Sequence, residues 1–391
     1  MSQFCPVRVS SRGADRVASG HLWVFASDVI DRGDAQPGEA VQVVDPKGRT
    51  LGMAHYSSAS QICLRFLSGQ VEPIDRAFFL RRLAAAQAYR RRVVSGTEAY
   101  RLAHGEGDLL PGLIVDRYGE YLVVQTLDQG MDRAKPEIVS ALGELCSPRG
   151  IIERNDAPVR KREDLPLRTG VLAGEAPARL QVRMNGLLLW TDPLHGQKTG
   201  VFLDQRENYV AAARYAHGRA LDCFTSTGGF ALHLAAGCES VEAVDSSEAA
   251  LELAELNRLA NHLENVQFRR ADVFDLLAGY AAARRQFATV VLDPPAFAKS
   301  RESLEGASRG YKEINLRAVR MLEPGGVLVT CSCSHHLSEA MLLEIVASAS
   351  LDAGRPLRVL ERRTQAQDHP ILLTVPETHY LKCLILEVIG S

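Results

Sequence analysis

Hydrophobic and polar positions change their period twice along the chain. From residue 1 to about 70 they alternate in short runs (VRVS, EAVQVVD, RTLGMAHYS, QICLRFLS) parted by Gly, Pro and Asp, which predicts a small, mostly β module. Within it, GHLWVFASDV sets Trp23 and Phe25 on one face if extended, and they read as core rather than as a base-stacking platform. From Ile74 to Val94 the apolar positions (Ile74, Phe78, Leu80, Leu83, Ala86) take helical spacing, with arginines opposite. A hairpin turning at Arg117-Tyr118-Gly119, a helix from Asp132 to Cys146, the strand GIIERND and a second hairpin at Asn185-Gly186 then predict a compact α+β unit. Between them, HGEGDLLPG (104–112) reads by default as a glycine-rich connector, its acids also open to a functional role. The polar, Pro/Gly-rich stretch 160–179 reads as a mobile surface loop.

From Thr191 onward strands and helices alternate, the pattern of a doubly wound, parallel α/β sheet. The predicted strand Ala220 to Phe224 feeds a helix opening at Phe230, and Val241 to Val244 ends in Asp245. A helix from Glu248 to Asn261 follows the capping pair Ser246-Ser247. VQFRRAD ends at Asp272 and FATVVLD at Asp293; a helix runs from Tyr311 to Leu322, and Gly325-Gly326 introduces VLVTCSCS. The expected division is three domains: 1–72, 73–190 and 191–391.

Composition alters this picture little: 391 residues, 46% hydrophobic, 24% charged and a net charge of −2 describe an ordinary globular chain. No apolar run reaches the ~18 residues of a membrane span, and MSQFCPVRVS lacks the apolar core of a signal peptide. Eight scattered cysteines without metal-knuckle spacing read as reduced thiols, hence a cytoplasmic expectation. Charge distribution says more than its sum. Residues 1–100 carry 13 Lys+Arg against 9 Asp+Glu, and Arg76 to Arg92 holds six arginines and no acid. That run is either a solvated helix face or a phosphate-facing surface.

The candidate chemistry gathers where strands end. Asp222, Asp245, Asp272 and Asp293 each close a predicted strand at the edge where open α/β sheets bind ligands. The turn after Asp222, CFTSTGGF, frees backbone donors at Gly228-Gly229, yet it has neither G-x-G-x-x-G nor G-x-x-x-x-G-K-[ST]. An acid there repels phosphate and suits a cation, while Asp245, about 20 residues on, suits ribose hydroxyls. S-adenosylmethionine meets both demands; a tight turn with no ligand is the alternative.

Asp293-Pro294-Pro295-Ala296-Phe297 resembles the D/N-P-P-aromatic motif of amine methyltransferases, but Ala296 intervenes before the aromatic. The fifth strand adds Cys331 and Cys333, with His335 and His336. Pyrimidine C5 is too weak a nucleophile for a sulfonium methyl until a thiolate adds to C6, so a cysteine beside the methyl donor fits C5 methylation. Buried core thiols, a zinc cluster and a redox pair remain as alternatives.

GQKTGVFLDQREN (196–208), LDCFTSTGGFALHLA (221–235), VVLDPPAFAKS (290–300), YKEINLRA (311–318) and TCSCSHH (330–336) resemble the RlmI-type 23S ribosomal RNA cytosine-5 methyltransferases, as do GHLWVF and HGEGDLLPGLIVD. The resemblance covers the whole chain. It implies a PUA-like RNA-binding domain, a central β-β-α-β-β domain and a class I (Rossmann-like) methyltransferase domain. It also implies S-adenosylmethionine as cofactor and large-subunit ribosomal RNA as partner, with no membrane and a homodimer left open. The family's nucleophile falls on Cys333 of Ser332-Cys333-Ser334, leaving Cys331 a bystander, and Asp293 matches the acid facing the target base, with Pro295 beside it. Asp222, Phe224, Gly228 and Gly229 match the methionine-end loop, which also holds Thr225. Asp245, with Ser246, matches the ribose acid, and Asp272 with Val273 the adenine edge. Lys198, Phe202 and Asp204 fall in the segment that closes over the cofactor.

Overall fold

The computed structural model describes residues 4–196, 201–297 and 304–390. It divides into two compact units, one of residues 1–182, 192–200 and 367–378, the other of 183–191, 201–366 and 379–391.

The first unit holds two sheets. A six-stranded sheet orders its strands 23–25, 62–68, 50–56, 40–44, 6–9 and 29–31. Its core is apolar, built on Val7, Val9, Val24, Val41, Val43, Leu64 and Phe66. Alternation in the short strand Trp23–Phe25 sends Val24 inward, so Trp23 and Phe25 are half-buried on the opposite face, contrary to their expected place in the core. The Trp23 indole donates to Glu106 (2.8 Å), and the Arg16 guanidinium lies 4.7 Å from the centre of the Phe25 ring. This module is also less purely β than expected, because Ser10 caps a helix, Ser11–Ala18.

A five-stranded sheet (168–174, 150–155, 121–126, 113–118, 99–104) carries the helices Arg76–Val93 and Lys135–Cys146. Phe78, Phe79, Leu83 and Ala86 bury one face of the first helix. Its arginine run is only partly a solvated face. Arg90 lies on the buried side, paired with Asp108 and donating to the carbonyls of Arg101 (2.8 Å) and Asp368 (2.7 Å). The stretch 160–179 likewise departs from a surface loop. It contains a 3-10 turn, Pro158–Glu163, and the strand Arg168–Gly174. Arg160 is fully buried and bonded to Asp132 (3.0 Å), while Glu163 accepts from Arg65 (2.6 Å) and Ser57 (2.7 Å). Polar composition misled here because each buried charge has a partner distant in sequence.

The second unit is built on a seven-stranded sheet: β1 (Arg219–Cys223), β2 (Ser240–Asp245), β3 (Val266–Arg270), β4 (Phe287–Leu292), β5 (Leu322–Ser332), β6 (Leu357–Arg363) and β7 (Lys382–Val388). The order is 3-2-1-4-5-7-6, with β7 antiparallel to both of its neighbours and the other pairings parallel. β4 is buried along its whole length, as expected of a strand covered on both faces. The order reverses between β1 and β4, and their carboxyl ends open the crevice where such sheets take ligands. The helix after β4 is longer than its predicted Tyr311 to Leu322, running over Leu304–Met321. The strands 180–184 and 187–191 form a separate two-stranded ribbon turning through Asn185 and Gly186, both with positive φ. Trp190 N–H bonds Asn257 of the helix Glu248–Ala260, and Leu188 N–H bonds Asn261, which caps it.

Candidate active site

The loop leaving β1 turns through three left-handed residues, Phe224 (φ 65°), Ser226 (φ 51°) and Gly228 (φ 86°). Gly229, which opens the following helix, is fixed by close approach: a Cβ there would sit 2.4 Å from the ring of Tyr209. Asp222 is fully buried behind this loop. One carboxylate oxygen accepts from Thr225 Oγ1 (2.5 Å) and Ala231 N–H (3.0 Å); the other has no hydrogen-bond partner among the described residues. Burial pushes this carboxyl up to about 7, with Asp293 and Asp245 adding to the effect.

Asp245 ends β2 and braces the same loop, accepting from Ser226 N–H and Ser247 N–H (2.9 Å each), with Ser246 exposed between. Asp272 is exposed and caps the helix Val273–Ala282 through Phe274 N–H (2.8 Å) and Asp275 N–H (3.2 Å), while Val273 turns into the core. Asp293 follows β4, its N–H bonded to the Cys223 carbonyl (3.3 Å). Gln205 donates to its carboxylate (3.0 Å). The Gln205 oxygen is taken by Asn208 (2.7 Å), which fixes the way that amide points. Pro294 is buried and Pro295 exposed beyond it. Phe297 packs on Tyr311, Phe274 and Phe224, with ring centres 4.7, 5.8 and 6.5 Å apart.

β5 ends at Ser332, and that end separates the two candidate sulfurs. Cys331, still in the strand, is fully buried opposite Cys383 of β7, and burial pushes its thiol well above the ordinary range. Cys333 lies just past the strand and is half-buried. Its neighbours hold the turn: Ser332 Oγ donates to the Tyr311 hydroxyl (2.9 Å), which also pairs with Ser334 Oγ (3.2 Å). Lys382 Nζ donates to the Ser334 carbonyl (2.6 Å). Asp204, almost fully buried, accepts from the Tyr380 hydroxyl (2.8 Å), and the Phe202 carbonyl from Tyr209 (3.4 Å). Lys198 lies outside the described residues.

The expected residues of β1, β2 and β4 therefore converge on one crevice, with Cys333 beyond the neighbouring strand. Asp272 and Val273 follow β3, the first an exposed helix cap and the second packed into the core. Sequence reasoning missed Gln205, Tyr209 and Lys382; the signal for Lys382 was a lone cation in the apolar run YLKCLILEV. Among the described residues no group of three or more His, Cys, Asp or Glu side chains could hold a metal, and no helix is long and apolar enough to cross a membrane.

This strand order, with acids crowding a glycine turn at the switch point, defines a class I methyltransferase. Comparison with known proteins agrees. Residues 7–69 match the family model of a PUA-like domain, and residues 159–385 that of an S-adenosylmethionine-dependent methyltransferase. A ribosomal RNA large subunit methyltransferase I from Tolumonas auensis is 45% identical over 94% of this chain and 96% of its own. A protein of the same name from Salmonella arizonae is 41% identical over 96% of each. In the solved structures, a candidate methyltransferase complexed with SAH superposes over 98% of this chain and 100% of its own, with TM-score 0.84 and 20% identity. The chain belongs to the RlmI-type methyltransferase family, and S-adenosylmethionine is its cofactor.

The residues present fit that cofactor. The orphaned Asp222 oxygen and the acids near it suit a cation.

Proposed function

We propose that this chain methylates C5 of a cytosine in large-subunit ribosomal RNA through a transient bond from Cys333 Sγ to C6 of that base. The observation that carries the reading is the contrast between two nearby sulfurs. Cys331 is sealed between β5 and β7, whereas Cys333 is partly open just past β5, beside the strand that ends in Asp293. The rRNA substrate rests on the names of the relatives.

The bound cofactor supplies an electrophilic methyl. Asp222, Phe224, Thr225, Gly228, Gly229, Asp245 and Ser246 would hold it, with Lys198, Phe202, Asp204 and Pro295 about it; the Asp272–Val273 contact is proposed at the adenine edge only. Cys333 would add as thiolate to C6, its lone pair forming the S–C6 bond while the C5–C6 π pair moves to C5; C5 would then take the methyl, the sulfonium sulfur leaving as a neutral thioether. A base then removes the C5 proton, the C5–C6 double bond re-forms and the thiolate leaves. Asp293 is held as an acceptor by the Gln205 amide and would accept from the cytosine amino group, where uracil offers a carbonyl. The base must leave its stack for this attack. Residues 1–72 would grip RNA by phosphate contacts, beside a central domain over 73–190 and a catalytic domain over 191–391. The reading puts the chain in the cytoplasm.

Incubation with labelled cofactor and ribosomal RNA, followed by digestion to nucleosides, is expected to yield 5-methylcytidine; 5-methyluridine or an N-methylated base would overturn the assignment. Wild type should form a denaturation-resistant complex with 5-fluorocytosine RNA. Cys333→Ala should abolish it and cut turnover at least ~10³-fold, while Cys331→Ala should retain it.

A further inference from the structure

Lys382 is an outlier in its surroundings. It starts β7, is followed there by the buried apolar Cys383, Leu384, Ile385 and Leu386, and is only 3% exposed. A buried ammonium is costly unless its three donors are met. Two are met by main-chain carbonyls, those of Ser334 (2.6 Å) and Tyr380 (2.9 Å). Neither acceptor is an acid. Ion pairing therefore does not explain a lysine here, since leucine or methionine would fill a strand position at no desolvation cost. The carbonyl at 2.6 Å belongs to the residue directly after Cys333. The turn is thereby latched on two sides, by Tyr311 through both serine hydroxyls and by Lys382 through the backbone.

We propose that Lys382 is the positioning residue of the nucleophile: it fixes the Ser332–Ser334 turn and sets a buried positive charge beside Cys333 that favours the thiolate. This rests on Cys333 being the nucleophile. The groups acting on Lys382 are few. Burial pulls its ammonium down to about 8, against which Cys333 and Glu339 act. Glu339, at the start of the helix Glu339–Ala353, is itself paired with Arg362 of β6. Tyr380 contributes its carbonyl, and Cys383, next in β7, faces Cys331. The thiol proton passes to bulk water; at pH 7, below its value of about 8, Lys382 is protonated, and it takes no part in bond making.

The test uses full-length protein and iodoacetamide, whose iodide the thiolate displaces, with alkylation at Cys333 followed by peptide mass spectrometry across pH 5.5–10. In wild type the midpoint is expected below the ~8.5 of a free thiol. A midpoint at or above that value overturns the proposal without any variant. Lys382→Met, similar in length and uncharged, should slow alkylation of Cys333 at pH 7 about tenfold and move the midpoint up by about one unit. Lys382→Arg should keep the midpoint near the wild-type value. An unchanged profile in a folded Lys382→Met protein would sink the idea. Because alkylation needs no RNA, it also separates the two readings. A low midpoint without a 5-fluorocytosine adduct counts against the proposed reaction, and an adduct with an unshifted midpoint counts against Lys382.

Discussion

In the folded chain one oxygen of Asp222 has two donors and the other has none among the described residues, and two further acids raise its proton affinity. An unfolded aspartate ionises near 3.9, whereas here burial holds the group at about 7. Its contribution to stability is therefore complete below ~3.9 and is lost as pH rises through 7. Asp222→Asn should raise the melting temperature of the ligand-free protein at pH 8 by a few degrees and give little gain near pH 4, measured by differential scanning fluorimetry. The same group sets a pH dependence for the ligand. Affinity for cationic S-adenosylmethionine, measured by calorimetry, should fall below pH 7 relative to neutral-sulfur S-adenosylhomocysteine; a constant ratio would exclude Asp222 as the cation's partner. Residue types and spacing made Asp222 legible from sequence alone. They left Cys331 and Cys333 on one side of a strand, and only its end at Ser332 parts them. Lys382 left only the trace of a lone cation among apolar residues, since its partner is a carbonyl 48 residues away.

Among the elements near the site, the turn after β1 tolerates little change at Gly229. Gly229→Ala would drive a methyl group into the buried ring of Tyr209, and overpacking of this kind costs about 1–3 kcal/mol. Either the ring or the turn must yield. The expected result is a lower melting temperature and at least ~10-fold weaker cofactor binding, with the loss of binding the more diagnostic. Alternating strand and helix patterns located β1 to β5 well, and β4, buried along its whole length, reads as a near-continuous apolar run. Short two-sided elements were harder. In Trp23–Phe25 the smaller Val24 takes the core and both aromatics stay half-buried, since bulk does not say which face of a three-residue strand turns inward.

For the molecule as a whole, buried ion pairs distant in sequence hold the first unit together. Arg90 meets Asp108 and two carbonyls, and Arg65 lies between Glu163 and Asp128. Removing one partner strands a buried charge, at about 3–5 kcal/mol. Arg90→Met should thus lower stability in urea by that amount, and Asp108→Asn added to it should recover part of the loss; strictly additive effects would show that the two do not act as a pair. This network escaped the sequence reading because a charged stretch such as 160–179 looks solvated until its partners are known. The fold of the second unit has another consequence, for the order of events during synthesis. β7 is threaded between β5 and β6, both of which precede it in the chain. Until it emerges, β5 keeps an open edge, Cys331 lacks its cover and the turn bearing Cys333 has no lysine beneath it. On the proposed roles of Cys333 and Lys382, a nascent chain would own a complete glycine turn after β1 while its sulfur stayed unarmed, and reactivity would arrive only with β7.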